Sequence, residues 1–143
     1  MIGLDTNILA RYYVAATPGL DDAATFRQCE AARALLDGGK RLMVGKTVLL
    51  ELEWVLRGRY ALSVRQIQRV LEHLLTLPQV EVEDRVAVQA AAAAYAEGFD
   101  FADALHHASY RTCSSVATFD DKGFARRAKK AGFKPVVQLP SAS

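Results

Sequence analysis

Short apolar segments recur along this 143-residue chain, with longer stretches of helical patterning between them. "MIGL", "RLMVG", "QVEVE", "SSVATF" and "PVVQL" are each strand-sized and far too short to be helices of their own. Strands that alternate with helices in this way predict an α/β sandwich around a mostly parallel sheet. Punctuation residues set the helix limits. "TNILARYYV" begins a first helix. Asp21 and Asp22 open a second, which runs to the Gly38-Gly39 stop. "TVLLELEWVLRG" reads as a helix that is apolar almost all round. Ser63 and Gln66 match a capping box, ahead of Val64, Ile67, Val70, Leu71, Leu74 and Leu75 at helical spacing. Asp84 is placed as the cap of the Ala-rich "RVAVQAAAAAYAEG", which Gly98 ends, and Asp100 as the cap of "FADALHHASYRT".

A chain of this length buries a core without staples and fits one domain, residues 1–143, with a polar tail over about 140–143. Cys29 and Cys113 form no CxxC or disulfide-framework spacing, so reduced thiols and a cytoplasmic location are expected. No apolar run reaches the ~18 residues of a membrane span, and no basic-then-apolar signal opens the chain. Charge is unevenly spread. Residues 1–121 hold 12 Lys/Arg against 16 Asp/Glu, whereas residues 122–143 hold six basic residues and no acid. The basic stretch "DDKGFARRAKKAG" is either a solvated terminal helix or a patch for polyanions.

Several acids stand where a core strand or apolar helix has little use for them. In an open parallel sheet, ligands bind beyond the carboxyl ends of the strands. Asp5 ends the first strand and Asp120 ends "SSVATF", with Asp121 beside it as an alternative. Each of these can also serve as an N-cap, worth about 1 kcal/mol. Glu51 shares a helix face with Thr47, Val48, Trp54 and Val55, surroundings in which a carboxylate is costly unless paired or bound to a cation. Glu53 lies on the other side, so one of the two can be the exposed position of a half-buried helix. Asp103 falls in the first turn after Asp100, where negative charge suits the helix dipole. His107 is one turn further on, but no second His or Cys stands at ligand spacing, which disfavours zinc. His73, His106 and His107 read as surface or packing residues. Carboxylates gathered without His or Cys repel one another, and a hard divalent cation with oxygen ligands, Mg²⁺ or Mn²⁺, relieves that repulsion.

"LDTNILARY", "TVLLELEWVL", "DFADALHHASY" and "ATFDDKGFAR", in that order, resemble the PIN-domain ribonucleases, and among these the VapC toxins of bacterial toxin–antitoxin pairs. The resemblance covers essentially the whole chain. It implies a three-layer α/β/α sandwich and a metal-dependent endoribonuclease with a Mg²⁺ cofactor, for which Mn²⁺ substitutes, yielding 5′-phosphate and 3′-hydroxyl ends. Motif by motif, it implies a catalytic and metal-binding quartet of Asp5, Glu51, Asp103 and Asp120. Thr6, Asn7 and Thr118 would orient these acids, with Asp100 and Asp121 as adjacent carboxylates of open role. RNA contacts fall to Arg11, Arg126, Arg127, Lys129 and Lys130, with Lys134 nearby. The implied partners are an RNA substrate (tRNA or rRNA), a cognate VapB-like antitoxin and a second copy of the chain in a homodimer.

Rival readings remain at this level. A haloacid-dehalogenase-like phosphatase or a receiver domain also uses Mg²⁺ and an Asp ending the first strand, but the phosphatase needs a second Asp where this chain has Asn7. A binding module of the same shape, or a housekeeping RNA-processing enzyme, would share the motifs.

Overall fold

The computed structural model describes residues 1–141, so the end of the tail drawn at 140–143 lies outside the described residues. Strand β1 (Ile2–Gly3) leads into α1 (Thr6–Tyr13) and α2 (Ala23–Asp37). Strand β2 (Leu42–Val44) leads into α3 (Lys46–Gly58) and α4 (Val64–Thr76). Strand β3 (Val80–Val82) precedes α5 (Arg85–Ala96) and α6 (Phe101–Ser109). Strand β4 (Ser115–Ala117) is followed by a π-helical turn (Asp121–Ala125), α7 (Arg126–Lys130) and β5 (Val136–Gln138). Parallel neighbours need long crossovers, and each of these connections supplies one.

Every ladder is parallel, and the fold is the expected three-layer α/β/α arrangement. The sheet nevertheless comes as two ladders, β1-β2-β3 and β4-β5, with no hydrogen-bonded pairing between β1 and β4 among the described residues. Buried partners face each other in register, Leu42 with Val80 and Val44 with Val82. One core spans both ladders: Leu4, Leu42, Val44, Val80 and Val82 belong to the same apolar cluster as Ala128 and Val137. On the helical side α5 packs along α6, where Ala87, Ala91 and Ala92 are buried and their small side chains permit close approach.

The helix ends follow from local chemistry. Asp22 accepts from Thr25 N at 2.9 Å, Asp100 from Asp103 N at 3.0 Å, and the Ser63–Gln66 capping box is complete. Gly98, at φ +100°, closes α5: its amide bonds Tyr95 O, and that of Phe99 bonds Ala94 O, the paired bonds of a Schellman turn.

Three expectations need correcting. Asp84 does not cap α5 with its side chain. It sits at φ 51° and turns its carboxylate onto Lys46 Nζ (3.1 Å) and Arg111 Nη2 (2.9 Å). The basic helix opens as a π turn, with Ala125 N bonding Asp120 O at 3.0 Å while the Asp120 carboxylate takes the two successive amides of Gly123 and Phe124. Helix α3 is not apolar all round: Leu49, Leu52 and Leu56 are buried, but Glu51 and Trp54 are exposed.

Candidate functional site

Asp5 follows the buried Leu4, just past β1, and is exposed. Its Oδ1 accepts from Thr6 N at 2.8 Å. That is the first amide of α1, whereas a standard N-cap serves the second or third, as Asp22 and Asp100 do here. Asp5 is therefore anchored at the helix start with its carboxylate still open to solvent. It lines a cleft between α1 and α3 with Asn7, Arg11, Glu51 and Tyr60, and the buried Thr6 also contributes. Arg11 is held across this cleft, donating from Nε to Gln28 Oε1 (2.8 Å) and from Nη1 to Tyr60 OH (2.9 Å).

Sequence patterning leaves open which glutamate of α3 is exposed, and the structure separates them. Glu51 is the exposed one, and its place in the cleft with Asp5 does not arise from burial among apolar side chains. Glu53 is 4% exposed. It accepts from Arg57 Nε at 2.8 Å and from Tyr95 OH at 3.3 Å, so its charge is paired one helical turn away, and the Tyr95 hydroxyl is pushed above its ordinary range by burial and by Glu53. Glu53 is a structural ion pair, and Glu51 is the carboxylate available to a ligand.

Asp103, Asp100 and Asp120 form the other end of the arrangement. Asp103 is half-buried in the first turn of α6. Burial raises its carboxyl pKa, and the charges of Asp100 and Asp120 raise it further, while His106 and Arg127 pull the other way. Three acids thus feel one another across the α6 N-terminus and the end of β4. Asp120 itself accepts from Gly123 N with Oδ1 (2.9 Å) and from Phe124 N with Oδ2 (3.1 Å), and its own amide donates to Thr118 Oγ1 (3.1 Å). Gly123 is required by this cradle, since a Cβ there would lie 2.6 Å from both Asp120 oxygens. Asp121 stands apart from the acids, lining a groove between α7 and β5 with Arg126, Lys129 and Lys134.

The two ends are joined by a second cleft, lined by Glu51, Trp54, Asp100 and Ala102. The acids therefore run as an arc: Asp5 beside Glu51, Glu51 across from Asp100, and Asp100 beside Asp103 and Asp120. Among the described residues, no three Asp, Glu, His or Cys side chains are clustered tightly enough to hold an ion between them. Mg²⁺ needs no such cage, because it keeps several waters and takes one or two carboxylates plus substrate phosphate. The donor set is all hard oxygen, and the mutual repulsion registered at Asp103 is what a cation there would relieve, so these residues fit such an ion.

The histidines follow their expected roles. His107 is buried, with Nε2 2.8 Å from Pro135 O and its ring packed near Phe124 and Phe133. It is the exposed His106, not His107, whose charge acts on Asp103. In the basic segment Arg126, Lys129 and Lys130 are exposed. Arg127 is partly committed, donating to Gly98 O with its guanidinium 5.3 Å from the centre of the Phe99 ring.

Sequence patterning missed two features of this rim. Glu83, just past β3, accepts from Lys46 N at 2.8 Å and caps α3 in place of Gly45, which has no side chain to do so. Trp54 shares the face that reads as apolar around Glu51, yet it is 66% exposed.

The sequence model of the PIN domain matches residues 2–130, a span that includes Asp5, Glu51, Asp103 and Asp120. No curated protein and no solved structure matches the chain. PIN domains are in general metal-dependent nucleases that act on RNA. Nine-tenths of the chain falls within the match, so it belongs to the PIN domain family.

Proposed function

We propose that this chain is a metal-dependent endoribonuclease, one PIN domain over its full length, acting as the cytoplasmic toxin of a VapBC-type pair. The observation that carries the reading is the arc of carboxylates from Asp5 through Glu51 and Asp100 to Asp103 and Asp120. Asp5 and Asp103 would be the main ligands of Mg²⁺ or Mn²⁺, with Glu51 and Asp120 acting directly or through waters. When bound, such an ion lowers the pKa of a water and neutralises charge on a scissile phosphate. Around it the protein's own groups hold and orient. Thr6 N fixes Asp5, the Gly123 and Phe124 amides fix Asp120, and Thr118 fixes the backbone from which Asp120 projects. Arg11 offers a cation inside the cleft with Asp5 and Glu51, and Arg126, Lys129 and Lys130 supply sequence-independent attraction for the RNA backbone that the acids repel.

Purified wild-type protein and Asp5→Asn are compared for Mn²⁺-dependent cleavage of structured RNA, with circular dichroism as the check on folding. Loss of cleavage with the fold kept supports the reading; equal cleavage by both proteins overturns it. Expression should arrest growth unless a neighbouring small protein, the antitoxin, is co-expressed. Growth without arrest turns the proposal toward a housekeeping nuclease, and size measurement tests the homodimer. One observation favours a second reading. Both Asp120 oxygens are already engaged by backbone amides, which suits a module that grips RNA without cutting it.

A further inference from the structure

Resting on the nuclease reading above, we propose that Trp54 is a stacking platform for a base of single-stranded RNA, in the cleft that continues the acid arc between α3 and α6. Thr47, Leu50, Glu51 and Trp54 recur at i, i+3, i+4 and i+7 and so share one face of α3. That face is not the core face, which Leu49, Leu52 and Leu56 supply while fully buried. It opens instead into a cleft of ≈ 420 Å³ whose far wall is Asp100 and Ala102, at the start of α6.

Nothing in the packing of the described residues calls for an indole at this position. Among the described residues no aromatic ring and no cation stacks on Trp54, and the nearby Arg57 is committed to Glu53. A large π surface is therefore held 66% exposed on a rigid helix, with Glu51 one turn before it. Glu51 lines both this cleft and the one that contains Asp5. A base stacked on the indole carries its backbone along the acid arc. Leu50 and Ala102 give the cleft an apolar lining, and the Thr47 hydroxyl and Asp100 carboxylate are acceptors for the amino groups on base edges. Aromatic platforms of this kind take unpaired bases of any identity, because every base has a π face and duplex bases are already stacked.

Trp54 is the chain's single tryptophan, so intrinsic emission reports on this cleft alone. A labelled single-stranded RNA is titrated into the full chain in EDTA at low salt, with binding followed by anisotropy and the platform by tryptophan emission. Emission should be quenched with the same midpoint as the anisotropy change, and the duplex of the same sequence should leave it unmoved. Trp54→Ala should weaken binding on the order of 10-fold, and Trp54→Phe should restore part of the loss. RNA that binds without changing emission, or that binds Trp54→Ala as it does wild type, overturns the platform and returns Trp54 to a protein-contact surface. Mn²⁺-dependent cleavage by the same preparations separates the two claims. Cleavage with a silent tryptophan removes the platform alone, whereas neither binding nor cleavage removes the nuclease reading and the platform together. Quenching without cleavage keeps the platform, on a module that binds RNA.

Discussion

Replacing Gly123 by Ala should change sign in its effect on stability according to what stands at position 120. The three nearest atoms to a Cβ at Gly123 all belong to Asp120: both carboxylate oxygens at 2.6 Å and Cγ at 2.9 Å. These are the end of a short flexible side chain, so the clash is resolved by Asp120 swinging away, not by backbone distortion. The loss is then the two amide bonds at 2.9 and 3.1 Å. Each is comparable to a helix cap at about 1 kcal/mol, so their removal costs about 1–2 kcal/mol. Ala returns about 0.5–1 kcal/mol over Gly in a helical turn. In the wild-type background the net effect is therefore a loss of up to about 1.5 kcal/mol, whereas in Asp120→Ala, where those carboxylate atoms are gone, the same substitution should stabilise by about 0.5–1 kcal/mol. Urea denaturation of the four proteins gives the coupling, expected at about 1–2 kcal/mol for groups in direct contact. An effect of Gly123→Ala with the same sign and size in both backgrounds refutes the cradle. If Asp120 also serves the chemistry, Gly123→Ala lowers Mn²⁺-dependent cleavage while leaving the circular dichroism spectrum unchanged.

Glu51→Ala, at an exposed position, should move stability by no more than about 0.5 kcal/mol yet abolish cleavage. Glu53→Ala should instead cost about 1–3 kcal/mol, chiefly by leaving the buried Tyr95 hydroxyl without its partner, since the half-exposed Arg57 is taken up by water, a contrast that denaturation and cleavage assays read together. Asp103→Asn should raise the Tm of metal-free protein at pH 7 while eliminating cleavage. The carboxyl pKa of Asp103 is raised in the fold by burial and by Asp100 and Asp120, so its contribution is favourable at low pH and is lost as pH rises through the folded value. The gain in Tm should vanish below pH 3.8, the ordinary value for an Asp. Asp84 behaves in the opposite sense. Its carboxyl is lowered to about 2 by Arg111 and Lys46, so its stabilisation is present above pH 3.8 and lost as pH falls toward 2, and Asp84→Asn should flatten the acid limb of a stability–pH curve. Replacing Arg126, Lys129 and Lys130 together by Gln should reduce the log–log salt slope of single-stranded RNA binding by about 2, at ~0.7 per phosphate contact.

Much of this architecture is legible before any coordinates. The period of the apolar residues and the caps at Asp22, Ser63 and Asp100 recover the helices, because these signals act over one or two turns and need no tertiary information. Failures came where a distant group decides the outcome. Nothing near position 53 reveals that Tyr95, 42 residues away, waits to hydrogen-bond a buried carboxylate, so the two glutamates of α3 could not be told apart by pattern. Asp84 reads as a cap until Lys46 and Arg111 arrive from other elements to claim it. At the π turn after β4 one side chain bonds two amides, a geometry that residue spacing does not encode. The acids of the proposed site are picked out by their motifs. Their arrangement as an arc is not, because it depends on how α3 faces the N-terminus of α6.

The choice between cap and ligand, posed separately for each acid, dissolves at the level of the fold. In a parallel sheet the chain leaves the carboxyl end of each strand and enters a helix, so the ligand rim of the sheet is also a row of helix N-termini. Asp5 stands at the start of α1 and Asp120 at the start of the π turn that runs into α7, each just past a strand, while Asp103 lies in the first turn of α6, which follows α5, behind Asp100. Exposed amides and the dipole at each start favour negative charge by about 0.3–1 kcal/mol apiece. The rim can therefore collect carboxylates with no ion present, each held by its own helix and spaced by the helices that hold them. Glu51 is the exception, since it lies in the second turn of α3, with that helix start already capped by Glu83. No dipole supports its charge and no partner among the described residues pairs it, and it also lines both clefts. Of the four acids it has the least structural reason to be a carboxylate, which makes Glu51→Gln the substitution that best isolates function from folding.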